Sequence, residues 1–451
     1  MQVFLKVGLW FYIVSHFFMT VCFAQETTDE QIIGFSQSVY KALQSHPKIF
    51  ISRKDIDISK QQLHTVESAF LPKISLSLGI GREDSNNNAS RALNGFGSSE
   101  MERRESAITI SQMLFDGFNA DNLRRSQYED ISAEELAFEH LASEIALKAI
   151  EVHLRVAAKN IVLEDHIANL KIHEQIAKDI GLRVRSGKDN RARVSQISAR
   201  LSLALANLET AKNQVFSANA DYLREIGELP GNKLHFQGKL FKMPESDSEF
   251  LDSVSTSNPF LLSKLKEMDS KKFEEKASAS HNLPSLYLES GASWNANLDA
   301  VRGRNSDAFV MLKMRYDLFK GGADRASERI VKYQTQRLRY ELDDLRRELK
   351  REASQAWFSY QSNAKRASFL QDYVESAQTT KIADAQQFNI GQRSLIDLLD
   401  AENELLKAKG QLQESKQDLS LSKYQIMHLQ GKLLTVLNLD LVMAETNGSF
   451  Q

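Results

Sequence analysis

FLPKISLSLGIG at residues 70–81 recurs 212 residues later as NLPSLYLESGAS at 282–293. Each copy sets a Leu-Pro pair ahead of a run in which apolar residues alternate with small or polar ones. That is the period of a β-strand with two unlike faces. In the first copy Ile74, Leu76, Leu78 and Ile80 share a face. In the second, Leu286, Leu288, Ala292 and Trp294 alternate with Ser285, Tyr287, Glu289 and Ser293. A second alternating run follows each. Ile108, Ile110 and Leu114 mark the first; Ala308, Val310, Leu312, Met314, Tyr316 and Leu318 mark the second, set against Phe309, Met311, Lys313, Arg315 and Asp317.

The recurrence extends along the chain. SHPKI at 45–49 and SNPFL at 257–261 keep the offset of 212. QMLFDGF at 112–118 with YDLFKGG at 316–322, RVRSGK at 183–188 with QFNIGQ at 387–392, and Gly227 with Gly431 keep an offset of 204. The change of eight falls where the first copy carries the looser NNNASRALNGFGSS. Two offsets separated by one loop difference define two structural repeats.

Between these marks the chain reads as helix. There are six prolines, none between Lys73 and Leu229 and none after Pro284; proline breaks helix interiors. Residues 134–180 and 334–378 repeat apolar residues at steps of three and four among Ala, Leu, Glu, Lys and Gln, which are good helix formers. Roughly sixty helical residues span about 90–100 Å, the reach of a coiled-coil-like tube or rod. The expected plan is a first repeat over 25–231, with strands at 73–81 and 106–115 and a helical hairpin at 118–228. A linker or equatorial segment follows at 232–249. The second repeat covers 250–435, with strands at 285–294 and 307–318 and a hairpin at 322–432, before a tail at 436–451. Gly117, Gly321 and Gly322 suit the bend from strand to helix. Gly187 and Gly391, at equivalent repeat positions, suit the turns joining the two helices of each hairpin.

Composition bounds the function. With 57 basic and 59 acidic residues the net charge is -2, and nucleic-acid binding, which needs a basic face, gains no support. Lys6, the apolar run Val7–Phe23 and VCFA before Gln25 read as a secretory signal peptide over 1–24. Its removal takes the only cysteine, Cys22, and with it disulfides, Cys-based zinc sites and thiol catalysis. No later apolar stretch approaches the length of a membrane helix, so a membrane crossing would have to be a β-barrel. P-loop, Rossmann, G-x-S-x-G and H-E-x-x-H signatures are absent, and no enzyme or cofactor is expected. His166 and His173 share a helix without a third convergent ligand and read as surface residues. RRELKRE at 346–352 reads as a solvated face. Four strands cannot close a pore. Either they form a small soluble sheet, or several chains pool them, three chains giving twelve.

Signal peptide, two repeats, and strand–strand–long helix–turn–helix in each resemble the TolC family of outer-membrane channel proteins over about residues 35–435. Leu-Pro before each first strand, LFDGF and LFKGG after each second one, and FNIGQRSLIDLLDAENELL at 388–406 carry the resemblance. The last resembles the type I secretion branch more than the drug-efflux members. The resemblance implies a homotrimer: a twelve-stranded outer-membrane barrel of four strands per chain, surrounded by lipid, continued by a periplasmic tunnel of twelve long helices. It also implies a periplasmic adaptor, an inner-membrane ABC transporter supplying energy, and an exported protein, for instance an adhesin. A drug or metal efflux duct is the alternative, and a secreted helical rod the remote one.

Asp397 and Asp400 sit three apart in that last motif. By spacing alone they share a helical face that is ordinarily just solvated. The resemblance makes them the pore constriction, where six carboxylates would repel anions and attract cations. It makes Phe388 and Arg393 gate contacts and places the adaptor at the tips around Gly187 and Gly391. Arg193 stands where the family carries an acid. Two arginines cannot pair, and Asp189, equivalent to Arg393 in the repeat, is a substitute partner. Trp294 reads equally as part of an aromatic girdle or as packed in a sheet.

Overall fold

A computed structural model describes residues 34–439 except 95–98, 188, 232–233, 235–240 and 300. The expected signal peptide and residues 440–451 of the expected tail lie outside the described residues. The first repeat runs α1 (Phe35–Ser45), α2 (Pro47–Glu67), β1 (Lys73–Ser85), α3 (Asn88–Asn94), β2 (Ser99–Phe115), α4 (Asn119–Arg185) and α5 (Arg191–Ile226). The second runs α6 (Asp247–Ser257), α7 (Pro259–Ser278), β3 (Ser285–Ala296), β4 (Arg304–Arg315), α8 (Ala323–Asn389) and α9 (Leu395–Leu429), followed by α10 (Leu433–Leu437). α4 and α8 are each 67 residues long, about 100 Å at the helical rise.

Several boundaries differ from expectation. The helices α1, α2, α6 and α7 were not read from the sequence, although proline fits a first helical turn, where its missing N–H is unused. Pro47 and Pro259 both stand at such a position, capped by His46 and Asn258. α6 begins at Asp247, three residues ahead of the expected start of the second repeat at 250, where Ser246 Oγ caps it by accepting from Glu249 N at 3.2 Å. β1 and β2 run on to Ser85 and back to Ser99, past the expected 81 and 106. β4 stops at Arg315 rather than 318, and the chain turns toward α8 through the left-handed Gly321 and Gly322. α10 lies partly inside the expected tail.

The two long helices organise the packing. α4 lies against α5 and α9, and α9 lies against α8; toward the sheet, α2 packs on α4 and α7 packs between α4 and α8. α5 and the α1–α2 pair therefore follow one another along α4, and α9 and the α6–α7 pair do the same along α8. The junctions repeat. Ser45 Oγ donates to Ile226 O at 2.9 Å, and its equivalent Ser257 donates to Gln430 O at 2.9 Å. Around them lies the main core, with Phe35 and Val39 from α1, Tyr222 from α5, Phe250 from α6, Trp357 from α8 and Tyr424 from α9.

Gly431 closes the second junction. It is left-handed at φ +69°, and an added Cβ would lie 2.7 Å from Ser257 O. Gly431→Ala should cost about 3 kcal/mol in chemical denaturation, combining left-handed strain with overpacking. Gly321→Ala, at φ +63° in open space, should cost only about 1 kcal/mol.

The sheet is antiparallel throughout, in the order β1-β2-β3-β4. The register puts Ile74, Leu76, Leu78 and Ile80 on the same face as Ile108, Ile110, Leu288, Val310, Leu312 and Met314. This apolar face is bare: Ile80 is 75% exposed and Val310 72%. The opposite face carries Ser75, Ser77, Arg103, Glu105, Glu289 and Lys313, with ion pairs Arg103–Glu105 and Lys313–Glu289. β1 and β4 are edge strands. Among the described residues, no helix is long and apolar enough to cross a membrane.

Candidate functional site at the hairpin tips

Gly187 (φ +71°) turns α4 into α5, and Gly391 (φ +78°) turns α8 into α9; neither has an atom within 4 Å of an added Cβ. Both turns face open space. At the other end of the hairpins the equivalence weakens. Gly117 packs against Ser280 O, whereas Gly321 and Gly322 stand free. Phe118 (φ 66°) holds the left-handed conformation that glycine takes at Gly322.

Past Gly391, Ser394 caps α9 with a reciprocal pair of bonds. Asp397 N donates to Ser394 Oγ at 3.2 Å, and Asp397 Oδ2 accepts from Ser394 N at 3.1 Å. The Ser394 side chain, then its N–H, then the charge of Arg393 hold the Asp397 carboxyl below the usual range. Asp397 is thus ionised, structurally fixed and still half exposed.

Arg393 lies 3.3 Å from Asp384 Oδ1 and donates to Gln387 Oε1 at 3.0 Å, while its Nη1 is 4.0 Å from Asp397 Oδ2. Its acid is therefore the buried Asp384, on its own hairpin. Asp189 is not the substitute partner within the chain, because Arg193 Nη1 donates to Asp189 Oδ2 at 3.1 Å. The arginine at the unexpected position is neutralised four residues away, inside hairpin one.

Asp400 is joined to the other hairpin: Arg200 Nη2 on α5 donates to its Oδ1 at 2.8 Å. Arg200 was invisible to the repeat alignment, which pairs Asp400 with Gln196. Alignment matches equivalent positions, while contact depends on how α5 and α9 are staggered along α4. Phe388 is buried with Ile180 (α4), Ile197 (α5) and Leu395, Leu398 and Leu399 (α9), and the Arg183 guanidinium lies 5.4 Å from its ring centre. This cluster fastens the two hairpins together beside the acids.

One of the two histidines read as surface residues differs from that reading, while His166 is half-buried. His173 is buried, its Nδ1 2.9 Å from Asn169 O. His428 Nδ1 lies 2.7 Å from Ser143 Oγ, with the His140 ring 5.4 Å away. Among the described residues no group of three His, Cys, Asp or Glu is placed to hold a metal.

Two hairpins thus share a charged tip, and the sheet at their other end is apolar on one face and polar on the other. The chain belongs to the outer membrane efflux protein family, whose model matches residues 38–226 and 251–432; this is the TolC family that its motifs resemble. It is 24% identical to the outer membrane efflux protein BepC of Brucella suis, over 92% of this chain and 88% of that one. It is 23% identical to the alkaline protease secretion protein AprF of Pseudomonas aeruginosa, again over 92% and 88%. Its fold is similar to that of the Campylobacter jejuni CmeC outer membrane channel, with TM-score 0.75, 15% identity, and 88% of this chain and 86% of that chain covered. It is therefore an outer-membrane efflux channel that extends into the periplasm.

Proposed function

We propose that three copies of this chain form a continuous export duct for protein cargo, fed by an inner-membrane ABC transporter through a periplasmic adaptor. The observation that carries it is the sheet: two open edges, one bare apolar face and one polar face. β4 of one copy beside β1 of the next continues the antiparallel alternation, and three sheets of four strands close a twelve-stranded barrel. The apolar face then meets lipid, with Trp294, 56% exposed on that face, in the interfacial girdle. Ser75, Ser77, Glu105 and Lys313 line the water-filled bore. Tyr340 and Phe369 on α8, and Phe216 on α5, are each over 70% exposed; they find their cover in the neighbouring copy.

The adaptor docks at the tips around Gly187 and Gly391, and Asp397 and Asp400 ring the periplasmic mouth. Energy comes from the ATPase partner, and the duct opens by parting of the hairpins. The similarity to AprF supports protein secretion. The similarity to BepC, an outer membrane efflux protein, supports a second reading, a drug or metal efflux duct. A deletion strain separates them: protein export predicts loss of a secreted protein from the medium with unchanged drug tolerance, and efflux predicts the reverse. In planar bilayers, Asp397→Asn combined with Asp400→Asn should lower the cation-to-anion permeability ratio; an unchanged ratio would remove these acids from the constriction.

A further inference from the structure

Each of the two acids has an arginine, but the two arginines have different attachments. Arg393 belongs to the same hairpin as Asp397 and is held by Asp384 and Gln387. Arg200 reaches Asp400 from the other hairpin. We propose that Arg200 is a selectivity-determining residue: it balances the Asp400 carboxylate while the hairpins are packed, so the constriction presents less fixed negative charge than its acids suggest. This rests on the reading of Asp397 and Asp400 as the constriction.

The pair is not a lock. Arg200 and Asp400 are 36% and 56% exposed, and exposed ion pairs contribute little to stability. The buried Phe388 cluster holds the hairpins. What the pair changes is local potential, which acts on every passing ion. The surroundings leave the pairing undisturbed. Arg200 lines a cavity of about 500 Å³ with Val162, Asp165 and His166 on α4 and Asn403 and Lys407 on α9. The one carboxylate there that could compete, Asp165, is held by Lys409 at 2.9 Å.

The test is reversal potential of the purified full-length channel in planar bilayers under a potassium chloride gradient. Arg200→Gln should raise the cation-to-anion permeability ratio about two- to threefold, a single unscreened charge per chain at contact range. Asp400→Asn should lower it by a similar factor. The double variant should return to the parent value, and Arg200→Lys should keep it. A silent Arg200→Gln, with Asp400→Asn still lowering the ratio, overturns the inference and leaves the constriction standing. Silence of Arg200→Gln, Asp397→Asn and Asp400→Asn together overturns both. Thermal melts of each variant establish that the fold is retained.

Discussion

Phe388→Ala should part the hairpin tips. The ring is only 8% exposed and is enclosed by Ile180, Ile197, Leu395, Leu398 and Leu399 from three helices besides its own. Truncating a buried phenylalanine removes its transfer energy and leaves a cavity, about 3–5 kcal/mol together. Ile180 and Ile197 belong to the other hairpin, so a large part of the loss falls on the packed arrangement of the two hairpins rather than on either one. A difference of 3 kcal/mol is about a hundredfold in an equilibrium constant. The fraction of time spent in a wide conducting state should rise by about that factor in single-channel recordings. Phe388→Leu, which keeps most of the apolar volume, should shift it less than about tenfold. A Phe388→Ala channel with parental conductance statistics would show that something other than this cluster holds the tips.

Acid should weaken the junction between the two ends of the helical body. Burial, and then the charge of His140, lower the His428 pKa from 6.5 to about 4. Unfolded, the ring takes its proton near 6.5; folded, near 4. Between those values the unfolded chain binds more protons, so stability rises with pH across the window, is complete above 6.5 and is lost by 4. The gap corresponds to about 3 kcal/mol per chain. His428 meets His140 and Ser143 from α4 and lines a cavity with Arg351 and Glu352 from α8. His140, which stacks on Phe260 of α7, is also lowered by burial, with Glu144 opposing. Chemical denaturation at both ends of the window should show this slope. His428→Asn, which keeps a polar atom toward Ser143, should remove about 3 kcal/mol of it, leaving the smaller contribution of His140. An equal slope in parent and variant would mean that His428 is not the titrating group.

The strands and the long helices were legible because their periodicities are local: Ile74 to Ile80 alternate whatever surrounds them, and Glu134 to Ile180 keep a helical step. The family was legible because its marks lie at turns, where glycine and proline are required by backbone geometry. The short helices were missed for a related reason. Proline breaks helix interiors but fits a first turn, and only the capping side chains of His46 and Asn258 show Pro47 and Pro259 to be starts. At the tips, the sequence supplied the acids but not their neutralisers. Asp384 lies far enough back on α8 to fall outside the motif. Arg200 acts across two hairpins whose relative stagger no single-chain pattern encodes. His173 reads as a surface residue yet is buried, because a His on an amphipathic helix signals its environment weakly until the neighbouring helix is in place.

The equal length of α4 and α8 makes them a matched pair of rulers. Both start at a strand-to-helix bend and both end at a tip turn, 67 residues later. Deleting one heptad from α4 alone would draw its tip back by about 10 Å. Ile180 would leave Phe388, and Arg200 would fall two helical turns short of Asp400. Shortening both helices together would keep every tip contact and change only the depth to which the body reaches. The span between membrane and docking partner can therefore vary, but only by edits made in duplicate.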